Sequence, residues 1–536
     1  MTLSKMHWPT LSTETHFQRK LRCFTPRPRS LHALLANAVA SNPQGTALVC
    51  NDTRLTYLAL DQLVGRLAAG WQSLGLQAGD RVALLLSNRI EFVLCLLAAT
   101  RLGAITVPLS VREQTPGLHY MLEHCGARLL VHDAELQAVL PAKNSLPGLQ
   151  WRVSFDSCPD ALDFDSLLAE APLTHAAPVQ EEDTVVILYT SGTTGRPKGA
   201  MLSHFGVVHS CMHFQVGMGL GPQDCSIAAV PLSHVTGLVA LVTTMLHAAG
   251  KLVILPAFKA PLFLDLAVRE RMTHSLMVPA MYNLCLLQDS FATLDLSAWR
   301  VGAYGGAPMP VASIDALAQK LPQLVLMNCY GATETTSPAT MMPPGETATH
   351  NDTVGLPVPC AEMKVVDDDG HELPAGEMGE IWIKGPMVVA GYWHNPEATA
   401  KEFVDGFWKS GDMGSIDAEG YVRILDRKKD MLNRGGYKIY CIEVENTLYE
   451  HPAVAECAIV AKPCPVLGER VHAFVSLRQD ATGDELSAFC SSRLSREKVP
   501  ESFTLSHTPL PRNANGKLMK REMRETLLKD LASGAA

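Results

Sequence analysis

The stretch Tyr189-Thr190-Ser191-Gly192-Thr193-Thr194-Gly195-Arg196-Pro197-Lys198-Gly199-Ala200 decides how the rest of the chain is read. It follows Val185-Val186-Ile187-Leu188, a β-branched and bulky run that suits a buried strand ending at Thr190. Gly192, Gly195 and Gly199 permit positive φ and close backbone approach, so that successive N–H groups can converge on an anion. Thr190, Ser191, Thr193 and Thr194 add hydroxyls, and Lys198 adds a mobile point charge suited to polyphosphate oxygens. The spacing is neither a Walker A loop nor GxGxxG, so the parts point to a nucleotide triphosphate held in some other frame.

The chain has 536 residues, enough for several packed units, and its 47% hydrophobic and 18% charged content is globular. With 45 basic against 54 acidic residues the net charge is −9, which argues against a nucleic-acid binder held by phosphate neutralisation. Fourteen cysteines without a CxxC pair indicate neither a disulfide framework nor a zinc site and suit a reducing cytoplasm. The first thirty residues are basic with no signal-peptide core, and are expected to be a loose lead-in. Leu238 to Leu255 is interrupted by His247 and Lys251 and falls short of a spanning helix, so no transmembrane segment is expected.

Along the chain, helical spacing over 30–41 and 58–74, a strand at 82–86, a helix over 90–102 ending at Gly103 and a strand at 104–109 alternate as in an α/β fold with parallel pairing. The stretch 141–180 reads as a surface connection, and Ser203 as the cap of a helix through Val208 and Met212. Residues 351–391 read as a small antiparallel β subdomain with Trp408 to Asp412 on a tight turn, and the chain from Met431 on as a compact α+β unit of about a hundred residues.

The glycine-rich stretch resembles the signature loop of the adenylate-forming superfamily: acyl-CoA synthetases, firefly luciferase and the adenylation domains of peptide synthetases. Further stretches match in the family's order, and the resemblance, which is nearest to the fatty-acid or aryl acyl-CoA ligases, covers most of the chain. It implies a large N-terminal domain, 1–428, of two parallel-rich α/β subdomains plus a small β subdomain, and a small mobile C-terminal lid, 429–536. His234 and Val235, in Pro231-Leu232-Ser233-His234-Val235, would line the entrance for a carboxylate substrate, with His234 among the catalytic groups. Tyr304, Gly305 and Ala332 would complete that pocket, where Gly305 and Ala332 are expected to leave room for a medium or long chain or a ring. Gly306, Ala307 and Pro308 would border the adenine, as would Asn328, Tyr330 and Gly331 in Asn328-Cys329-Tyr330-Gly331-Ala332-Thr333-Glu334. Thr333 would act at the phosphates and Glu334 would ligate Mg²⁺.

By the same resemblance Asp412 and Arg427 would hold the ribose, Lys429 would be the hinge where many relatives carry Asp, and Gly435 and Gly436 would line the path of coenzyme A. Lys517, in Pro511-Arg512-Asn513-Ala514-Asn515-Gly516-Lys517-Leu518, takes the place of the catalytic lysine. The Asp that holds an amino acid's ammonium in peptide-synthetase domains has no counterpart in Gly237-Leu238-Val239-Ala240-Leu241, which disfavours such substrates. The implied activity is ATP- and Mg²⁺-dependent ligation of an apolar carboxylic acid to coenzyme A through an acyl-adenylate. Its alternative is a stand-alone acyl-AMP ligase that loads the phosphopantetheine of a carrier protein. A homo-oligomer stays open.

Overall fold

The computed structural model describes residues 7–155, 158–190, 196–428, 430–435, 437–512 and 518–533. These fall into two compact units: 1–309 with 313–363 and 383–409, and 310–312 with 364–382 and 410–536. One five-stranded sheet contains Glu362–Val366, Gly379–Lys384 and Phe407–Ile416. Within it Val422–Arg427 pairs antiparallel with Phe407–Ile416 along most of its length.

The first unit holds two large sheets. One has seven strands, and in it Thr184–Thr190, Ile105–Pro108, Arg81–Leu85, Ala127–Asp133, Trp151–Phe155 and Leu162–Asp163 lie parallel in that order. The other has nine, with Val325–Tyr330, Val301–Tyr304, His274–Met277, Cys225–Ala228, Lys251–Ile254 and Thr46–Cys50 parallel through its middle. Parallel strands buried on both faces need continuous apolar sequence, and Val185 to Leu188 are all buried as that requires. The helix Ile90–Leu102 is buried almost all round and stops where Gly103 turns left-handed at φ 68°. Ser30 caps Leu31–Ser41, and Ser203 caps His204–Gly217, each accepting from the backbone N–H three residues on. The α/β class and its two parallel-rich subdomains therefore stand.

Two expectations about the first unit do not hold. Residues 141–180 are more than a connection, since Trp151–Phe155 and Leu162–Asp163 extend the seven-stranded sheet. Val153 and Phe155 supply the burial that makes this worthwhile. Nor is the N-terminus a loose lead-in. Thr10–His16 and Arg19–Thr25 form an antiparallel hairpin whose Leu21 and Cys23 pack on Phe205 of the His204–Gly217 helix. Behind it the guanidinium of Arg27, its side chain fully buried, bridges Glu14 and Glu181 and holds the Glu14 carboxyl far below the usual carboxylate range. Lys20 and Arg22, two of the basic residues that suggested a tail, are the outward half of a period-two pattern in Lys20-Leu21-Arg22-Cys23.

In the second unit Tyr437–Ile439, Leu432–Arg434, Gly468–Leu477 and Val454–Cys464 form one sheet, with Ser502–Ser506 parallel to Gly468–Leu477. The helices Cys441–Tyr449 and Gly483–Ser491 cover it through Val444, Leu448, Leu486 and Cys490, giving the expected α+β core. Among the described residues no helix is long and apolar enough to cross a membrane. All fourteen cysteines are free thiols.

Candidate active site

In the first unit the predicted phosphate loop is flanked by two paired strands. Lys198–Ser203 is itself a strand, antiparallel to Thr184–Thr190, with Thr190 opposite Lys198. Ser191, Gly192, Thr193, Thr194 and Gly195 lie outside the described residues. Gly199 is not needed for positive φ. A Cβ there would lie 2.8 Å from Ile187 Cγ2, so the glycine lets the two strands close.

The strand pair brings Lys198 into a charged cluster that sequence order does not suggest. Lys198 Nζ forms an ion pair with Glu402 and sits 4.4 Å from the centroid of the Tyr392 ring. The Tyr392 hydroxyl is 2.6 Å from Glu402 Oε2 and 3.0 Å from Glu334 Oε1. Thr190 Oγ1 donates to the same Glu334 oxygen at 3.2 Å. Burial and the two neighbouring carboxylates push the Tyr392 phenol far above its ordinary range, so it stays a donor. Among the described residues the side-chain hydrogen bonds to Glu334 fall on Oε1, which leaves Oε2 for a hard cation.

Neither Tyr392 nor Glu402 was picked out from the sequence. Tyr392 is placed by an antiparallel bridge to Ala200, with Trp393 N donating to Gly199 O at 2.7 Å. Glu402 ends the helix Pro396–Glu402, which Asn395 caps. The available signal was the capped Asn395-Pro396 helix start, one residue beyond Gly391-Tyr392-Trp393.

The other first-unit residues gather at the carboxyl ends of parallel strands, where ligands bind in open α/β sheets. Tyr304 stands opposite Asn328 in adjacent strands, so the segments that follow, Gly305 to Pro308 and Tyr330 to Glu334, leave the sheet side by side. Gly306, Ala307 and Pro308 are exposed there, and Gly306 has φ 77°. Tyr330, Gly331, Ala332 and Thr333 are half-buried, while Glu334 is buried. The Asn328 side chain is buried and its Nδ2 reaches Thr353 O at 3.5 Å.

Gly305 is also held to glycine by packing. A Cβ there would lie 2.4 Å from the carbonyl oxygen of Cys329 on the neighbouring strand, so close strand packing already requires glycine. Tyr304 is buried, its hydroxyl pushed up by desolvation.

His234 follows Cys225–Ala228, two strands from Val301–Tyr304 in the same sheet. Thr236 N donates to its Nδ1 at 3.3 Å, which puts the proton of the neutral ring on Nε2. Val235 is buried and leads into the π-helix Thr236–Thr243, whose Leu238, Val239, Ala240 and Leu241 are buried without a charge among them.

In the second unit Asp412 is in the strand Phe407–Ile416 rather than on a turn, paired in register with Arg427. The Arg427 guanidinium Nε lies 2.7 Å from Asp412 Oδ1, so these two are brought together. Gly435 turns at φ 60° and its N–H donates to Leu467 O at 2.7 Å. Lys429, Gly436 and Lys517 lie outside the described residues. The segments beside Lys517 are anchored: Arg512 bridges to Leu518, and Glu456 accepts from Leu510 N at 3.0 Å and from Arg512 Nη2 at 2.7 Å.

Comparison with known proteins identifies the family. Residues 35–393 match the family model of the AMP-binding enzymes and residues 443–517 that of the AMP-binding enzyme C-terminal domain. A feruloyl-CoA synthase of Amycolatopsis sp is 35% identical over 491 residues, 90% of this chain and 96% of the relative. The long-chain-fatty-acid–CoA ligase FadD13 of Mycobacterium tuberculosis is 32% identical over 480 residues, 88% of this chain and 93% of the relative. Among solved structures, the anthranilate CoA ligase AuaEII in complex with anthranoyl-AMP superposes with a TM-score of 0.88 at 26% identity, covering 94% of this chain and 98% of that one. The chain belongs to the AMP-binding enzymes, the adenylate-forming superfamily, as one of its AMP-forming acid–thiol ligases.

Proposed function

We propose that this enzyme activates an apolar carboxylic acid, a medium- or long-chain fatty acid or an aromatic acid, as its acyl-adenylate and transfers the acyl group to coenzyme A in a reducing, cytoplasmic setting. The observation that carries the phosphate half of this reading is the convergence of Thr190, Lys198 and Glu334 at the two ends of the glycine-rich stretch. The uncharged, buried segment behind His234 supports an apolar acid, because an ammonium or second carboxylate brought there would lack a partner.

A carboxylate is a poor acyl donor because oxide is a very poor leaving group. Joining it to the α-phosphate of ATP supplies AMP as the leaving group and expels pyrophosphate. The protein's part is positioning and charge neutralisation. Lys198, with the hydroxyls of Thr193 and Thr194, would hold the β- and γ-phosphates, and Thr333 would donate to the phosphates from the adjoining segment. Glu334 Oε2, with the bonds to Oε1 fixing the carboxylate, would hold Mg²⁺, whose charge offsets that of the departing pyrophosphate. Lys517 would bridge the carboxylate and the α-phosphate, and Asp412 with Arg427 would fix the ribose.

Thiol transfer needs another group where Lys517 stood. The segment 429–536 would therefore turn about Lys429 as a lid, presenting Gly435 and Gly436 to the pantetheine arm. Pyrophosphate release and product mass, measured with ATP, Mg²⁺ and straight-chain, aromatic and dicarboxylic acids, each with and without coenzyme A, test this. An acyl-CoA from one apolar class is expected. Acyl-AMP that persists in the presence of coenzyme A would move the acceptor to a carrier protein, and turnover of dicarboxylic acids alone would overturn the apolar assignment.

A further inference from the structure

We infer that Glu402 is a positioning residue that gates Lys198. It holds the ammonium while no nucleotide is bound and has to yield it to the terminal phosphates of ATP. The inference rests on the phosphate role given to Lys198 above and adds a residue that lies outside the glycine-rich stretch.

Lys198 is on a strand, with only 9% of its side chain exposed, and a cation so enclosed needs a counter-charge. Glu402, 24% exposed, supplies it, and its position is fixed from three sides. The helix Pro396–Glu402 is capped by Asn395, Thr399 Oγ1 accepts from Tyr392 N at 3.0 Å, and Tyr392 bridges to Ala200, two residues from the lysine. The carboxylate is therefore built into the same corner as the ammonium and does not arrive there on a long mobile arm.

A polyphosphate that approaches Lys198 meets Glu402 as a competing anion. The ion pair must open, and the cost of opening it is subtracted from the affinity for ATP. It leaves the affinity for AMP, which lacks the β- and γ-phosphates, untouched.

Tyr392 couples this exchange to Glu334. Its hydroxyl has one proton and two carboxylates within reach, Glu402 at 2.6 Å and Glu334 at 3.0 Å. When Lys198 turns to the phosphates, Glu402 loses its cation and becomes the stronger claimant for that proton. Glu334 then loses its share of that proton, and its Oε1 is left with the Thr190 donor alone. The lysine's transfer to phosphate and the freeing of the acidic ligand are thus one event. The reverse sequence, Glu402 reclaiming Lys198, favours departure of pyrophosphate.

Glu402→Gln tests the gate, because the amide oxygen still accepts from Tyr392 while the charge is gone. Isothermal titration of the intact enzyme in Mg²⁺ buffer, without acid, measures binding of ATP, pyrophosphate and AMP. In the variant ATP and pyrophosphate are expected to bind roughly tenfold tighter, equivalent to about 1.4 kcal/mol, with AMP unchanged. In turnover the KM for ATP falls, the KM for the acid is unmoved, and inhibition by pyrophosphate strengthens.

ATP affinity that stays the same or weakens, or ATP and AMP moving together as a general loosening of the fold would make them, overturns the gate. If the Gln variant does not fold, Glu402→Asp, one methylene short of the lysine, gives the same comparison: a smaller gain for ATP over AMP supports the gate and no gain overturns it. Wild-type enzyme that binds neither nucleotide would instead overturn the functional reading on which the gate rests.

Discussion

Replacing Gly305 by alanine separates two physical reasons for a small residue at the end of a sheet strand. If the glycine leaves space for substrate, a methyl group narrows a pocket. If it lets two strands approach, the methyl group pushes them apart. The geometry supplies a ground for the second, since the added Cβ would lie 2.4 Å from Cys329 O, where ordinary contacts begin at 3.4 Å.

The obstacle is backbone in a paired strand and cannot rotate aside, so relief requires a displacement of about 1 Å between the two strand ends. Overpacking of this kind costs about 1–3 kcal/mol. The moved segments are Gly305 to Pro308 and Tyr330 to Glu334, and a 1 Å misplacement of reacting groups costs on the order of 100-fold in rate. Gly305→Ala is therefore expected to lower kcat/KM by about 10- to 100-fold for short, medium and long acids alike. The assay is pyrophosphate release across a chain-length series, with the thermal midpoint measured in parallel. A variant that keeps full activity on small acids and loses only large ones would refute the reasoning and restore Gly305 as an opening in the acyl pocket.

Two further outcomes can be measured independently. Burial pushes His209 down to about 4 from 6.5, and its ring is held neutral because Nδ1 donates to Phe205 O and Nε2 accepts from Phe24 N. The lowered value means that the unfolded chain takes up the proton first, so stability is complete above pH 6.5 and is lost as pH falls from there toward 4. His209→Gln, which keeps a donor and an acceptor but does not titrate, should lessen the fall in stability between pH 7.5 and 5.5 by about 1 kcal/mol, read from urea midpoints. Lys517→Ala should cripple adenylation of the acid by two orders of magnitude or more, on the order of 3 kcal/mol, yet leave conversion of supplied acyl-AMP to acyl-CoA largely intact; equal losses in both half-reactions would remove Lys517 from the first step.

What the sequence reveals here follows from the range over which each feature is encoded. The strand Thr184–Thr190 and the helix Ile90–Leu102 are legible because burial on all sides demands an unbroken apolar run, and Gly103 marks the stop locally. Tyr304 and Asn328 meet at the carboxyl ends of adjacent parallel strands, which the motifs that name them do not state. The N-terminal hairpin is written just as plainly in Lys20-Leu21-Arg22-Cys23, but counting its charges hides its alternation. Other features have no local trace. Gly305 is glycine because of a carbonyl on the next strand, and Gly199 because of Ile187 across the strand pair. Both lie among residues whose small size suggested ligand contact.

The same distinction explains why Glu402 escapes a reading by motif. A motif lists the groups that meet the ligand, and those groups are recognisable because the ligand's chemistry fixes their types. The group that holds a motif residue when the ligand is away need only carry the right charge at the right place, and many elements could supply it. Here that element is a helix some two hundred residues downstream of Lys198, brought into reach by the bridge between Ala200 and Tyr392. A lysine enclosed as tightly as this one must have such a partner in the unliganded protein, since the cost of leaving it unpaired exceeds that of most single contacts. Buried cationic residues of a nucleotide site therefore carry a second question beyond what they bind, namely which anion they leave to bind it, and only the tertiary structure names that anion.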